Sequence, residues 1–144
     1  MRISQRIRIE REPKHVFALV GDPERYPSLL AGMTTWKPVS EQTHGVGARF
    51  RTLMKVGSVE VGGIVSVARW EEDSCIEWIA EKGVRQSGRW TLTPAGDGGT
   101  ELRLEIDYDI GGGLVGKLVE RIAARTIARN MWATLLAARR IVEE

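Results

Sequence analysis

The last segment of the chain, Gly113–Glu144, contains no proline and only one glycine after its first residue. This composition favours one uninterrupted helix, on the order of 45 Å long at 1.5 Å per residue. Before it, the segment Ala48–Ile110 alternates apolar and polar residues, the pattern of strands with one buried face. A long helix laid across one curved antiparallel sheet tends to enclose a cavity. The sequence therefore predicts an architecture with room for a ligand.

Length and composition predict a single domain over residues 1–144, with a core of its own. No apolar run is long enough to cross a bilayer, and the first ten residues lack the continuous apolar region of a secretory signal. Cys75 is the one cysteine, which permits no internal disulfide and is typical of the reducing cytoplasm. The net charge of +2 is far from the strongly basic balance of a nucleic-acid binder, so we expect no specific nucleic-acid partner. The sequence indicates no oligomeric state.

The chain opens with elements that precede the main sheet. Residues 2–10 alternate as a strand with one wet face. Pro13 suits the first turn of a short helix. Asp22 is the expected N-cap of a second short helix, which Pro27 is expected to interrupt.

Five or six further strands follow, and their short connections require antiparallel pairing. They are predicted at residues 34–40, 48–56, 59–70, 75–80, 85–93 and 100–110. Pro38 marks the first of these as an edge strand, and Gly62-Gly63 is read as a bulge. Arg6 and Arg8 suit the acidic outer row of the last strand, which predicts that the first and last strands are neighbours.

Alternation predicts which side chains face the helix. The inward set is Phe50, Thr52, Met54, Ile64, Ser66, Ile76, Trp78, Gln86, Trp90, Leu92, Leu104, Ile106 and Tyr108, with Ile127, Asn130 and Thr134 from the helix. The ligand-binding candidates are all of these except Ile64, Ser66, Ile76 and Leu92. The helix face includes small and polar residues such as Ala123, which fill space poorly and so favour a cavity. Trp78 and Trp90 of this set either pack in an ordinary core or form a wall on which a planar ligand stacks.

Other motifs do not support cofactor or metal chemistry. Residues 111–118, GGGLVGKL, match a phosphate-loop pattern, but Leu118 replaces the magnesium-binding hydroxyl and no later strand completes a βαβ unit. We interpret them as a strand-to-helix connection. His15 and His44 have no ligands at metal spacing, and Cys75 has no basic partner in its strand. We therefore expect no metal and no cofactor.

Three arginines recur along the last helix, Arg121, Arg125 and Arg129, at four-residue spacing. Arg139 and Arg140 extend the row. The row is either a solvated outer face or a contact for an anionic partner: a membrane surface, an acidic carrier protein or RNA. No interleaved aromatic residues support the RNA alternative.

The order of elements and four stretches resemble a known family. The stretches are ALVGDPERYP at 18–27, VGARF at 46–50, GRWTLTP at 88–94 and GGTEL at 98–102. Over essentially its whole length the chain resembles the polyketide cyclase/dehydrase and lipid transport family of the START-like (SRPBCC) superfamily. The resemblance implies an α+β helix-grip fold, as in the pollen allergens: six to seven curved antiparallel strands around a long C-terminal helix. It also implies a cavity for lipids, quinones or polyketides, and in some members aromatase/cyclase activity.

Three functions follow from the residues and this resemblance. The first is a carrier or sensor for a hydrophobic small molecule, with Tyr108, Gln86 and Asn130 giving selectivity. The second is a polyketide aromatase/cyclase or dehydratase that uses Tyr108 and Arg69 as proton donors. Alternation places Arg69 outside unless a bulge shifts the register; Glu120 is a marginal candidate at the cavity mouth. The third is a protein-interaction module that uses the arginine row.

The expected mouth of the cavity is bounded by three segments. These are residues 21–32, the hairpin at 56–58 and the N-terminal half of the last helix. Gly111–Gly113 is expected to let that helix end shift when a ligand enters.

Overall fold

A computed structural model describes all residues, 1–144. In chain order its elements are β1 (Arg2–Ile9), α1 (Pro13–Val20), a 3-10 turn (Pro23–Arg25), α2 (Tyr26–Leu29), β2 (Met33–Pro38), β3 (Arg49–Val56), β4 (Val59–Glu71), β5 (Cys75–Gly83), β6 (Arg85–Ala95), β7 (Gly99–Asp109) and α3 (Gly113–Glu143). The six strands after the short helices and the single long helix confirm the predicted order.

The seven strands form one antiparallel sheet in the order β1-β7-β6-β5-β4-β3-β2. The predicted pairing of the first and last strands is confirmed, and β2, with Pro38, is an edge strand. Arg8 lies opposite Glu101, whereas Arg6 lies opposite Arg103 and reaches Glu101 diagonally at 3.8 Å. The fold is the expected curved sheet against a long C-terminal helix, with short helices after the first strand.

The short helices differ from the prediction in one respect. The Asp22 carboxylate accepts a hydrogen bond from the Glu24 backbone N–H at 3.1 Å, as expected of an N-cap. Pro27, however, lies in the first turn of α2 and does not interrupt a helix. The prediction was wrong because proline lacks only an N–H that the first turn leaves unpaired anyway.

The main core lies at one end of the sheet, under α1 and the C-terminal half of α3. Val16 and Val20 of α1 are buried there with Leu135 and Ala138 of α3. Leu92 faces inward as predicted, but it packs in this core and does not line the cavity. One end of the molecule is thus solidly packed.

The predicted bulge at Gly62-Gly63 is wrong. Both glycines pair in regular register with β3. They are needed because the strands approach closely: a Cβ would lie 2.1 Å from a β3 carbonyl oxygen at Gly62 and 1.8 Å from a β5 carbonyl oxygen at Gly63. The register shifts instead beside Ala68 of β4 and Glu81 of β5, neither of which has a partner opposite.

The regular pairing with β3 and the extra residue Ala68 together decide which face each residue of β4 occupies. Before the bulge, Val65 and Val67 point into the sheet's inner face, where Val65 lies opposite Phe50. The inward prediction for Ile64 and Ser66 was therefore wrong by one residue. After the bulge the inner position falls on Trp70.

The glycines before α3 form the predicted connection. Gly111, Gly112 and Gly113 all have left-handed backbone angles, with φ between 63° and 79°. A Cβ at Gly116 would lie 1.3 Å from the Gly111 carbonyl oxygen. The glycines let the chain turn from β7 and fold back onto the first turn of α3.

Candidate ligand-binding cavity

A cavity of about 490 Å³ lies between the inner face of the sheet and α3. Of the 37 residues that line it, 26 are hydrophobic, and none is Asp, Glu, Lys, Arg or His. This volume lies within the range of small-molecule sites. The sheet and the helix therefore do not meet flush at this end.

All twelve ligand-binding candidates lie in the cavity wall: Phe50, Thr52, Met54, Trp78, Gln86, Trp90, Leu104, Ile106, Tyr108, Ile127, Asn130 and Thr134. Their binding role remains a prediction. Sequence reasoning missed lining residues that include Trp36 and Trp70. Extending the alternation of β3 across its pairing with β2 would have found Trp36, whereas Trp70 is inward only because of the bulge.

Four of the five tryptophans line the cavity, namely Trp36, Trp70, Trp78 and Trp90. Trp36 stacks on Phe50 with ring centroids 4.4 Å apart and planes 16° apart, and lies 4.8 Å from Tyr26. Trp70 meets Phe17 edge to face at 5.2 Å. Aromatic contacts of this kind hold the indoles in fixed orientations, so the wall is preformed.

Several polar groups in the wall are already used by the protein. The Trp36 indole N–H donates to the Pro23 carbonyl at 3.1 Å, and the Tyr26 hydroxyl donates to the Val20 carbonyl. Burial raises the pKa of Tyr26 far above its usual range. The Thr134 hydroxyl accepts from the Ala31 N–H at 3.0 Å and donates within its own helix. These groups fix the wall and are not free for a ligand.

Tyr108 is also engaged. Its hydroxyl donates to the Glu120 backbone carbonyl at 2.9 Å, and the Glu120 carboxylate accepts from the Ile110 N–H at 2.9 Å. Burial, with a smaller contribution from Glu120, raises the pKa of Tyr108. The arrangement ties the end of β7 to α3, and it makes Tyr108 a poor proton donor.

Two amide side chains remain uncommitted. Gln86 of β6 and Asn130 of α3 line the cavity and make no hydrogen bond with another protein group. No buried polar atom lacks a partner, so these amides face accessible space. Asn130 packs against Gly32, where a Cβ would lie 2.2 Å from its Nδ2. The cavity therefore presents one free polar group on the sheet and another on the helix.

Arg69 lies outside the cavity. Its guanidinium pairs with Glu71 at 2.8 Å and with Glu77 at 3.5 Å on the outer face of the sheet. Its proposed use as a cation inside the cavity is therefore wrong. Regular alternation from Val67 would have pointed Arg69 inward, and the extra residue Ala68 moves it out.

All three segments predicted for the mouth border the cavity. They contribute Leu30 and Ala31, then Val56 and Gly57, and Ile122 of α3. Ile122 is 67% exposed although it lines the cavity, so the wall is open to solvent at this helix. No helix in the structure combines the length and apolarity needed to span a bilayer.

Comparisons with known proteins agree with this geometry. The sequence matches the family described as polyketide cyclase / dehydrase and lipid transport over residues 1–143. A search of curated proteins finds no match. Solved structures with the same fold include the protein TTHA0849 from Thermus thermophilus, with TM-score 0.84 and 19% identity, covering 99% of this chain and 97% of that one.

Two further structures are similar. A START superfamily protein from Mycobacterium smegmatis has TM-score 0.77 and 16% identity, with 97% of this chain and 98% of that chain covered. The Zhui aromatase/cyclase from Streptomyces sp. R1128 has TM-score 0.84 and 14% identity, with 99% of this chain and 93% of that chain covered. At these identities the likeness establishes the fold.

Proposed function

The chain belongs to the polyketide cyclase / dehydrase and lipid transport family, and from that premise we propose that it binds an uncharged hydrophobic small molecule in its cavity, as a carrier or sensor. The ligand class is a lipid, quinone or polyketide-like molecule. One observation carries the proposal: no lining residue is Asp, Glu, Lys, Arg or His.

The chargeless wall limits what the cavity accepts. An ionised ligand would lose its hydration without gaining a counter-charge, which is strongly unfavourable. The indole faces favour a planar or extended apolar body. Gln86 and Asn130 each offer a donor and an acceptor, which favours a ligand with oxygen atoms at two separated points.

The same observation weighs against acid–base chemistry. Proton transfer requires a group that titrates near the working pH or a positioned donor. Tyr108 uses its proton on a backbone carbonyl, and Arg69 lies outside. Binding without chemistry is therefore the function that this wall supports best.

A polyketide cyclase or dehydratase is the second candidate, because the Zhui aromatase/cyclase shares the fold along almost its whole length. In this cavity such chemistry would rely on Gln86 and Asn130 to stabilise an enolate oxygen. Incubation with a poly-β-ketone thioester distinguishes the two: a carrier returns it unchanged, whereas a cyclase forms an aromatic product.

Native mass spectrometry of the purified protein tests the carrier proposal, and a matched pair of variants locates the ligand. Ala123 is buried in the cavity wall, so Ala123→Phe fills the space. Ala133 lies on the exposed side of α3 and serves as the control, Ala133→Phe. We expect a co-purifying neutral molecule with the unaltered protein and the control, and its loss from the Ala123 variant. A folded Ala123 variant that still retains the molecule would contradict the proposed site.

The two free amides are tested separately. Gln86→Leu and Asn130→Leu keep bulk but remove the polar atoms. We expect each to weaken binding of an oxygenated ligand roughly three- to tenfold, the usual range for one hydrogen bond. A hydrocarbon of the same length should bind both variants as well as it binds the unaltered protein. Equal weakening for both ligands would contradict a polar role.

A further inference from the structure

The N-terminal half of α3 exposes an unusual run of apolar side chains. We call Leu114, Val115, Leu118, Val119 and Ile122 the mouth ridge; their exposed fractions are 87%, 72%, 59%, 43% and 67%. Isolated exposed apolar residues are ordinary, but five within three helical turns form a contiguous patch. Such a patch marks a surface that is covered when the protein works.

The mouth ridge is accompanied by unneutralised positive charge. Lys117, Arg121, Arg125 and Arg129 are exposed on the same helix, and none forms an ion pair. The one acidic residue between positions 113 and 142 is Glu120, whose carboxylate is bonded to the Ile110 N–H. Apolar side chains and free cations thus share this surface with almost no opposing charge.

The mouth ridge also belongs to the cavity. Val119 and Ile122 line the cavity and are exposed to solvent at the same time. Across the mouth, Val59 and Ile110 do the same, with exposed fractions of 58% and 40%. The apolar surface is therefore continuous from the outside of α3 into the binding space.

We propose that the mouth ridge docks α3 on the surface of an anionic lipid bilayer. The apolar side chains enter the boundary between headgroups and acyl chains, and Lys117, Arg121 and Arg125 lie against lipid phosphates. A hydrophobic ligand then passes between the bilayer and the cavity without crossing water. The proposal goes beyond the carrier function, and vesicle binding is measured without reference to any ligand.

The shape and charge of the surface favour a bilayer over a protein partner. Leu114 and Val115 are 87% and 72% exposed at the end of a convex helix, which lipid chains surround more easily than a rigid protein surface does. Two copies of this chain packed ridge to ridge would bring their arginine rows together, so like charges oppose a symmetric dimer. Trp132, 43% exposed, lies on the same side of α3 as Leu114, and tryptophan favours the bilayer interface.

Vesicle flotation tests the proposal with two pairs of substitutions. Leu114→Asp with Leu118→Asp removes apolar contact, and Arg121→Glu with Arg125→Glu reverses charge; none of these residues lines the cavity. The charge control is Lys37→Glu with Arg51→Glu. These two residues lie opposite each other on the outer face of β2 and β3, are exposed and form no ion pair.

We expect the unaltered protein to float with phosphatidylcholine vesicles that contain phosphatidylglycerol, and much less with phosphatidylcholine alone. The leucine pair and the arginine pair should each lose well over tenfold in partitioning, at about fivefold per unit of charge for the arginine pair. The Lys37/Arg51 variant should bind within a few-fold of the unaltered protein. Circular dichroism confirms that each variant is folded.

Three results would overturn the proposal. The first is that the unaltered protein fails to bind anionic vesicles. The second is that the Lys37/Arg51 control loses as much binding as the Arg121/Arg125 variant, and the third is that the Leu114/Leu118 variant binds normally. Retention on an acidic protein in place of vesicles would assign the surface to a protein partner. A dimer in native mass spectrometry that the leucine pair abolishes would assign it to a second copy. Co-purification of a cavity ligand is unaffected by any of these results, so the carrier proposal stands or fails separately.

Discussion

At the scale of single residues, Trp78 occupies the cavity wall because Gly88 has no side chain. The two residues lie directly opposite each other on β5 and β6. A Cβ at Gly88 would lie 2.1 Å from the Trp78 ring. The indole is thus laid flat over the neighbouring strand, which gives the cavity one of its aromatic surfaces.

Gly88→Ala should therefore displace Trp78. We expect a loss of about 1–3 kcal/mol in the free energy of unfolding, the usual cost of forcing extra volume into a packed site. Urea unfolding measures it. Gly96→Ala is the matched control, because a Cβ there meets nothing within 4 Å, and it should change stability by less than about 0.5 kcal/mol. Equal stabilities of the two variants would show that Trp78 is free to move.

Tyr108 offers a second residue-scale prediction. Tyr108→Phe removes the hydrogen bond to the Glu120 carbonyl and leaves the ring in the wall. We expect stability to fall by about 1 kcal/mol and hydrogen exchange near the start of α3 to accelerate. Affinity for a neutral hydrophobic probe should change little. A large loss of affinity with unchanged stability would show instead that the hydroxyl contacts the ligand.

Prediction from the sequence failed at residue scale along β4. Trp78 and Trp90 lie in the wall as alternation predicts, because β5 and β6 pair there without a shift. Ile64 and Ser66 were predicted to face inward, but the regular pairing with β3 puts Val65 opposite Phe50 and so turns both of them outward. Arg69 was predicted to face outward by simple alternation, but it lies outside because of the extra residue Ala68. The bulge at Ala68 reverses the alternation of β4, so the residues after it face as simple alternation had predicted. Neither Ala68 nor Glu81 carries a sequence signal, such as glycine or proline, that marks a bulge.

At the scale of elements, α3 has two functional halves. Its C-terminal half is anchored in the core by Met131, Leu135, Ala138 and Val142. Its N-terminal half buries little beyond Gly116 and Ala123 and covers the cavity. Two hydrogen bonds that Glu120 accepts, from Tyr108 of β7 and from Ile110 just after it, hold this half in place. A helix built this way moves most easily at the end that forms the mouth.

Gly116→Ala tests how the connection controls that end. Helix propensity alone predicts a gain of up to about 1 kcal/mol for this change in a helix interior. The structure predicts the opposite sign, because a Cβ would collide with the Gly111 carbonyl oxygen. We expect lower stability and faster hydrogen exchange over the first two turns of α3. A stabilised variant would show that Gly111–Gly113 adjusts freely around the new methyl group.

The strands carry an ion-pair row on the outer face of the sheet. Arg89 reaches Glu105 at 2.6 Å and Glu77 at 3.5 Å, and Ser4 also donates to Glu105. The hydrogen bond from Arg89 lowers the pKa of Glu105, more than its partial burial raises it. Such a carboxyl stabilises the folded state fully at pH values above its pKa in the unfolded chain. This stabilisation is lost as the pH falls through its lower pKa in the folded protein.

Glu105→Gln should therefore make the free energy of unfolding depend less steeply on pH in the acid range. Below about pH 4.5 the unaltered protein should lose stability more steeply than the variant, and near neutral pH it should be the more stable of the two. Urea unfolding at a series of pH values measures both. Glu60→Gln, at an exposed residue without an ion pair, is the control and should follow the unaltered protein. Parallel profiles for all three proteins would exclude a contribution from Glu105.

At the scale of the whole molecule, the fold was predictable because every strand pairs with a neighbour fixed by short connections or by charge. Six consecutive strands form a meander, and β1 closes on β7. The cavity volume was not predictable in this way. It depends on how far α3 stands from the sheet, which is set by tertiary packing of the core at one end and by the glycine connection at the other. Small side chains on α3 such as Ala123 indicated space but not its size.

All charged side chains of the molecule lie outside the cavity wall, and this predicts how ligand binding responds to pH. The cavity wall contains no acidic or basic side chain, and burial raises the pKa of both its tyrosines, Tyr26 and Tyr108. Nothing in the wall should change protonation between about pH 6 and pH 9. We expect affinity for hexadecanol to stay constant over this range. Affinity for palmitate should fall as its carboxyl ionises, because the wall offers no counter-charge.

Isothermal titration calorimetry with the two ligands measures this contrast, and each serves as the control for the other because they share the same chain. A change in hexadecanol affinity with a midpoint near neutral pH would require a titrating group at the site, contrary to the structure. Equal and constant affinities for both ligands would place the palmitate carboxylate outside, in water at the mouth. Arg121 and Arg125 lie one and three residues from Ile122 of the mouth along α3. Reversing their charge should then weaken palmitate binding without affecting hexadecanol.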